Sequence, residues 1–326
     1  MKRGMTLAVD YVNRFPLAME WEYEQTNVYH LDGGDEHWLI DTGEIHEDNF
    51  EVLTEYLRGE DLTWSDLTGV LVTHLHPDHV GLIFEMLEEN PDLDFRIPTG
   101  ASMAKRTPER TKEWLRRVGM PEAFHEAVLE EITNHKYVDF MRDVKDRGQF
   151  LEPGTTLRLG SRHCEVLPAR GHTPNQVVYY VPEDGLLFSG DHVLLNETPN
   201  VSVFPEYLDG NPLRDFHEGL EGLLDLDISV IYPGHGPPFQ NGKERVRELL
   251  EHHEGRLDQC RRVLEDTPQS PFEVADQIPW SSGSFEELKQ VHQFLALGET
   301  FSHLEYLRQQ GKLEKSDQDG TNRYYQ

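Results

Sequence analysis

Between positions 74 and 79 the chain reads His74-Leu75-His76-Pro77-Asp78-His79, three imidazoles and one carboxylate in six residues. The run Leu67-Thr68-Gly69-Val70-Leu71-Val72-Thr73 stands directly before it. A short apolar, β-branched block bounded by turn residues predicts a strand buried in a sheet. Pro77 has no backbone N–H to give a ladder, so the chain must leave the sheet there. Gly81 and the apolar Leu82-Ile83-Phe84-Glu85-Met86-Leu87 predict a helix beyond. The four polar side chains therefore fall on a strand-to-helix loop, and they are the ligand types that suit zinc and similar divalent ions. A solvated loop could carry the same residues, so the rest of the chain has to decide.

The same arrangement recurs. Asp41 closes His37-Trp38-Leu39-Ile40-Asp41-Thr42-Gly43, and His172 follows the strand-like 163–168 in Ala169-Arg170-Gly171-His172-Thr173-Pro174. Asp191 ends Gly185-Leu186-Leu187-Phe188-Ser189-Gly190-Asp191, and His235 ends Ile228-Ser229-Val230-Ile231-Tyr232-Pro233-Gly234-His235-Gly236. Most of these are an apolar run, a glycine or proline turn, and one metal-type residue at the strand end.

The order Asp-Thr-Gly, His-x-His-x-Asp-His, Gly-His-Thr-Pro, Ser-Gly-Asp, Pro-Gly-His-Gly resembles the metallo-β-lactamase fold superfamily of hydrolases over roughly residues 20 to 240. The resemblance implies an α/β fold, an αββα sandwich with a two-metal site at one sheet edge. By motif match His74, His76 and His172 would hold one ion, and Asp78, His79 and His235 the other. Asp191 would bridge them, Asp41 would support the site from behind, and Asp78 would also orient the nucleophile. The cofactors implied are two divalent ions, zinc first, with iron or manganese as alternatives. True β-lactamases usually lack the last histidine of the central motif, so His79 points to the thioesterase, lactonase and nuclease branches.

With 326 residues and 37.8 kDa there is room for one large domain and an appended one. The expected division is a catalytic domain over 1–243, interrupted by a helical insertion over about 98–150, and a small winged-helix-like domain over 244–326. No apolar stretch is long enough to cross a bilayer, and the first ten residues lack the apolar core of a signal peptide. Two cysteines make no disulfide framework, which suits a cytoplasmic home. Thirty basic residues against sixty acidic ones leave a net charge of -30, a surface that repels phosphate backbones. Such a balance resembles that of salt-adapted proteins, whose self-repulsion is screened by salt.

In chain order, strands are expected over residues 5 to 30, a hairpin at Asp32-Gly33-Gly34-Asp35, and a helix over 46–59. The insertion carries a basic cluster, six cations to two anions between Lys105 and Arg117, with apolar Met103, Trp114, Leu115, Met120 and Phe124. It reads as a solvated helical insertion or as a lid whose apolar residues wall a pocket and whose charge attracts an anionic substrate. Further on, Tyr207 is a packing residue with a possible substrate contact. His192, His217, His252 and His253 stand outside the ligand set, while Ser189 and Thr173 are expected to support ligands. Beyond 244, helices over 245–265, 270–275 and 284–310 precede a two-stranded wing. Residues Phe285 to Gln310 hold four Glu against one Lys and one Arg, so this tail is unsuited to reading DNA and is expected to pack on the catalytic domain or a second subunit of a homodimer.

Three functions follow. The first is hydrolysis of a small, anionic ester, thioester or lactone, with a hydroxide shared by the two ions as nucleophile. The hydroxyacylglutathione hydrolases share Gly-His-Thr-Pro but differ around the last metal histidine, which argues against a glutathione thioester. The second is single-strand-specific RNA cleavage of the lactamase-β-like type, suggested by the tail and opposed by the charge. The third is iron-dependent oxidoreduction or dioxygenation on the same fold.

Overall fold

The computed structural model describes residues 9–19, 25–100, 107–126, 129, 135–208, 210–264, 267–281 and 283–326. The chain divides into two compact units. Met1–Ala101, Asp143–Pro199 and Gly219–Val246 form the first; Ser102–Arg142, Asn200–Glu218 and Arg247–Gln326 form the second.

The first unit holds two sheets. Strands β1 (Val12–Ala18), β2 (Gln25–Asp32), β3 (His37–Ile40), β4 (Gly69–Leu71), β5 (Asp94–Pro98) and β6 (Gln149–Leu151) lie side by side in chain order. The first three alternate in direction, and β3 to β6 run parallel. The Asp32–Asp35 turn joins β2 to β3, with Gly34 at φ +89, a backbone open to residues without a β-carbon. Between β3 and β4, helix α1 (Asn49–Gly59) buries Leu53 and Leu57, and its Tyr56 stacks on Phe15 of β1 at 5.0 Å. The second sheet runs β11-β10-β9-β8-β7, formed by β7 (Thr156–Leu159), β8 (Arg162–Pro168), β9 (Val177–Val181), β10 (Leu186–Gly190) and β11 (Val230–Pro233). Only β10 and β11 are parallel within it.

The inner faces of the two sheets share a core that includes Tyr29, Ile40, Leu71, Val166, Tyr179, Phe188 and Tyr232. Tyr29 meets Phe188 and Tyr232 edge-on, with centroids 5.5 and 5.3 Å apart, the geometry favoured by ring quadrupoles. Buried phenols need acceptors, and these bonds cross between the sheets. Tyr179 donates to the Val72 carbonyl and Tyr29 to that of Pro233, each at 2.7 Å. The strand expected over 67–73 is shorter than its apolar run, because the Thr73 N–H goes to the Asp41 side chain at 2.7 Å rather than to a neighbouring strand.

After β4 come two short helices, α2 (Pro77–Val80) and α3 (Ile83–Glu89). Among the described residues, the further α-helices include α4 (Pro108–Val118), α5 (His135–Arg147), α6 (Pro212–Leu224), α7 (Gly242–Val263), α8 (Pro271–Gln277) and α9 (Gln290–Gln309). Two antiparallel strands, β12 (Glu314–Gln318) and β13 (Thr321–Tyr325), end the chain.

The interior of the second unit is built around α4 and α9. Trp114 is fully buried, gives its indole N–H to the Val203 carbonyl at 2.5 Å, and lies 4.8 Å from the Phe294 ring. Phe294 in turn stacks on Phe204 at 5.2 Å. A β-carbon at Gly298 would sit 2.9 Å from that of Ser202, so glycine permits the approach in which Val203 N–H bonds the Gly298 carbonyl. Trp114 and Leu115 are thus interior residues, and neither is open to wall a pocket as the lid alternative would have it. Met120 is buried and Phe124 is 41% exposed, while Met103, Lys105 and Arg106 lie outside the described residues. Tyr207 is buried, as a packing residue would be.

Candidate metal centre

Local conformation decides where each candidate ligand points. His74-Leu75-His76 is non-helical, and His76 is extended with φ -90 and ψ 152. In extended backbone alternate side chains share a face, so the two imidazoles go together and Leu75 turns inward. Pro77 then occupies the first turn of α2, where its missing N–H costs nothing, and the helical turn swings Asp78 and His79 to a second position. Asp41 and the 73–79 loop follow β3 and β4, and Asp191 and His235 follow β10 and β11. In both parallel pairs the carboxyl ends carry the polar groups, as in other open α/β sheets.

All seven expected ligands converge. In one group His74 Nε2 lies 3.0 Å from His76 Nδ1, and His172 Nε2 lies 3.1 Å from the same atom. Asp191 Oδ2 completes it, 3.6 Å from His172 Nε2 and 3.9 Å from His74 Nε2. In the other, Asp78 Oδ2 is 3.3 Å from His79 Nε2 and 3.2 Å from His235 Nε2. Asp191 joins this group also, with Oδ1 3.4 Å from His79 Nε2 and Oδ2 3.4 Å from His235 Nε2. Each set of four could hold a metal ion, and Asp191 belongs to both.

The donor chemistry fits such an ion. Nitrogen at 2.0–2.1 Å around a tetrahedral zinc places neighbouring ligand atoms about 3.3 Å apart, in the middle of the separations seen here. The His79 Nε2 and Asp191 Oδ1 atoms are buried without a hydrogen-bond partner, an arrangement costly for a polar atom unless something else satisfies it.

Partners behind the cluster aim its nitrogens. His79 Nδ1 lies 2.8 Å from Asp41 Oδ2, His235 Nδ1 is 3.0 Å from the Gln25 carbonyl, and His74 Nδ1 is 3.1 Å from Thr73 Oγ1. With Nδ1 carrying the proton in each case, Nε2, the atom facing the cluster, is the nitrogen whose lone pair a cation would take. Asp41 is buried in a left-handed conformation, φ 61, and also accepts the Thr73 N–H. Thr42 N–H reaches the His79 carbonyl at 2.8 Å, tying the two ligand-bearing loops.

Electrostatically the two groups differ. Burial and then the neighbouring imidazoles push His74 far down, and burial and then His172 push His76 to about 3. Burial also opposes charge on His79, but the carboxylates of Asp78, Asp191 and Asp41 outweigh it and hold the imidazole well above its usual value. His235 is raised to about 10, again against its burial, chiefly by Asp191. Burial would raise the Asp78 and Asp191 carboxyls, yet the facing imidazoles, His79 for the first and His235 for the second, hold both well below the usual range.

Other expectations fare differently. Ser189 gives its hydroxyl to the Val193 carbonyl at 2.8 Å, closing its own turn rather than supporting a ligand. His192 is buried beside Gly219 and belongs to neither group. His253 Nδ1 lies 3.2 Å from His303 Nε2 in the second unit, and His217 is 5.7 Å away, ring to ring. The part of Thr73 is not signalled by any motif. Its only sequence cue is a hydroxyl placed next to the first ligand.

A sheet sandwich with a histidine–carboxylate cluster at the strand ends is the build of a metal-dependent hydrolase. The model of the metallo-beta-lactamase superfamily matches residues 21–235, and the chain belongs to that family. It is 25% identical over 288 residues to the probable metallo-hydrolase YqjP of Bacillus subtilis, covering 86% of this chain and 87% of that one. A solved beta-lactamase domain protein from Burkholderia ambifaria is similar with TM-score 0.80 and 25% identity, over 98% of this chain and 92% of its own. An atrochrysone carboxyl ACP thioesterase of Passalora fulva is 23% identical, over 75% of this chain and 58% of its length. No described helix is long and apolar enough to cross a membrane.

Proposed function

We propose that the chain hydrolyses a small ester, thioester or lactone at a pair of divalent ions. His74, His76 and His172 hold one ion, Asp78, His79 and His235 the other, and Asp191 is shared. The observation that carries the reading is the placement of Asp191, whose carboxylate lies within 3.9 Å of four of the five imidazoles and so can serve both groups. When bound, two such ions supply an acidified water as nucleophile and polarise the oxygen of the scissile group. The chain's own residues do the rest. Asp78, on the side of the cluster where exposure rises, is placed to accept a hydrogen bond from that nucleophile and orient it. Asp41 keeps His79 turned with Nε2 forward.

The thioester arm is supported by the thioesterase among the similar proteins, and the ligand pattern leaves zinc as the first choice of metal. The charge of -30 opposes a nucleic-acid substrate, which cations must neutralise. The buried thiols Cys164 and Cys260 are unpaired, which suits the cytoplasm. The test is metal analysis of the purified chain beside turnover of a panel of acyl thioesters, esters and lactones and of a labelled single-stranded RNA. The expected result is two ions per chain and turnover within the acyl panel that a chelator abolishes. Cleavage of the RNA with no acyl turnover would refute the reading.

A further inference from the structure

Behind the cluster one buried side chain touches the frame of both groups. Thr73 is fully buried two residues past the end of β4. Its N–H donates to Asp41 Oδ1 at 2.7 Å, and its hydroxyl lies 2.8 Å from Asp41 Oδ2 and 3.1 Å from Oδ1. The same hydroxyl oxygen is 3.1 Å from His74 Nδ1. Its carbonyl accepts the Val177 N–H of β9 at 3.0 Å, so the residue is also tied to the opposite sheet. On its remaining side sits Gly190, with φ +48, where a β-carbon would stand 2.7 Å from Thr73 Oγ1. That glycine lacks a side chain at the place the threonine fills.

Counting protons fixes the direction of these bonds. A hydroxyl has one proton and two lone pairs, and a carboxylate can only accept. Thr73 therefore gives its proton to Asp41, and what it offers His74 is a lone pair. His74 must then carry its proton on Nδ1 and present a bare Nε2 to the cluster. Asp41 meanwhile accepts directly from His79 Nδ1 at 2.8 Å.

We infer that Thr73 is a positioning residue that extends the hold of Asp41 from His79 to His74, so that one carboxylate aims one imidazole of each metal group. The inference rests on the proposed two-ion reading for its consequence, though not for its geometry. Second partners of metal-bound histidines typically change metal affinity 10- to 100-fold, and a loss of that size is expected for one ion when the hydroxyl is removed.

The test has two readouts. In the metal-free protein, nitrogen-15 NMR of the His74 ring should show the proton on Nδ1 in the parent and in Thr73→Ser. In Thr73→Val it should shift toward Nε2. Chelator-buffered zinc titrations should show one of the two ions bound about 10- to 100-fold more weakly by Thr73→Val, with Thr73→Ser restoring it. Thr73→Ala removes the oxygen without placing a methyl against Asp41 and stands in if the valine chain does not fold. A parent His74 protonated on Nε2, or a valine or alanine variant that keeps the parent tautomer and both affinities, would overturn the inference. So would a serine variant that behaves like valine. If the parent takes up no divalent ion the hydrolase reading falls, and the tautomer of the metal-free ring still decides the role of Thr73.

Discussion

The two groups of ligands should load with metal under different pH control. A cation can take an imidazole only where the nitrogen is free of a proton, so binding to a protonated ring must expel that proton. In the metal-free protein, His79 and His235 are both held charged at neutral pH, His79 well above its ordinary value and His235 at about 10. An ion entering that group displaces two protons. His74 is far down and His76 is at about 3, so neither has a proton to lose at neutral pH. While the pH stays below the pKa of a competing ligand, each displaced proton multiplies apparent affinity about tenfold per pH unit. Between about pH 6 and pH 8 the affinity of the second group should therefore climb about a hundredfold per unit. His74 and His76 add no such slope to the first.

Chelator-buffered zinc titrations at three pH values measure the slopes directly. Calorimetry in two buffers of different ionisation enthalpy counts the protons released. At one fixed level of free zinc the chain should hold a single ion at the acid end and two at the alkaline end. Replacing His235 with alanine should lower the count for the second ion from two to one. If both ions bind with the same slope, or the second binds without releasing protons, the assignment of charge within the site is wrong.

Three further outcomes are expected. Burial pushes His253 well below its usual value and His303 to about 3, while in the unfolded chain both would titrate near 6.5. The unfolded state then binds protons the fold refuses. Stability should drop by about 1.4 kcal/mol per histidine for each pH unit below about 6.5, and urea melts should show a slope smaller by about that one-histidine share in His253→Phe than in the parent. A Trp114→Ala chain should lose about 3–5 kcal/mol in urea unfolding, since it empties the centre of the second unit and leaves the Val203 carbonyl without its donor. A loss under 1 kcal/mol would show that Trp114 does not hold that core. With a charge of -30 relieved by screening, the melting temperature should rise from low to molar KCl, and a steady fall would contradict the salt-adapted reading of the surface.

What could be read in the residues, and what could not, divides by distance along the chain. The ligands announced themselves because each stands at the end of its own apolar run, beside its own glycine or proline. Asp41, the 74–79 motif, His172, Asp191 and His235 are five local signals that needed only the sandwich to bring them together. Thr73 gave no comparable signal, because its part depends on Asp41, 32 residues back, and on Gly190 in the other sheet. The second unit was hidden for the same reason. Val203 meets Trp114 and Gly298 across 89 and 95 positions, and no short motif encodes either meeting. Burial along α9 shows what local reading misses. From Ala296 to Leu307 the α9 positions Ala296, Leu297, Gly298, Thr300, Phe301, Ser302, His303, Leu304, Glu305 and Leu307 are buried, which runs right round the helix rather than along one stripe. A helix covered on every side lies inside something, and here that is the unit it shares with α4 and residues 200–204. The same burial explains His303. An imidazole on an enclosed helix must find its partners in the protein, so Nδ1 takes the Glu299 carbonyl at 2.8 Å and Nε2 faces His253. Histidines that read as bystanders for want of ligand spacing are thus joined by the requirement that buried polar atoms be paired.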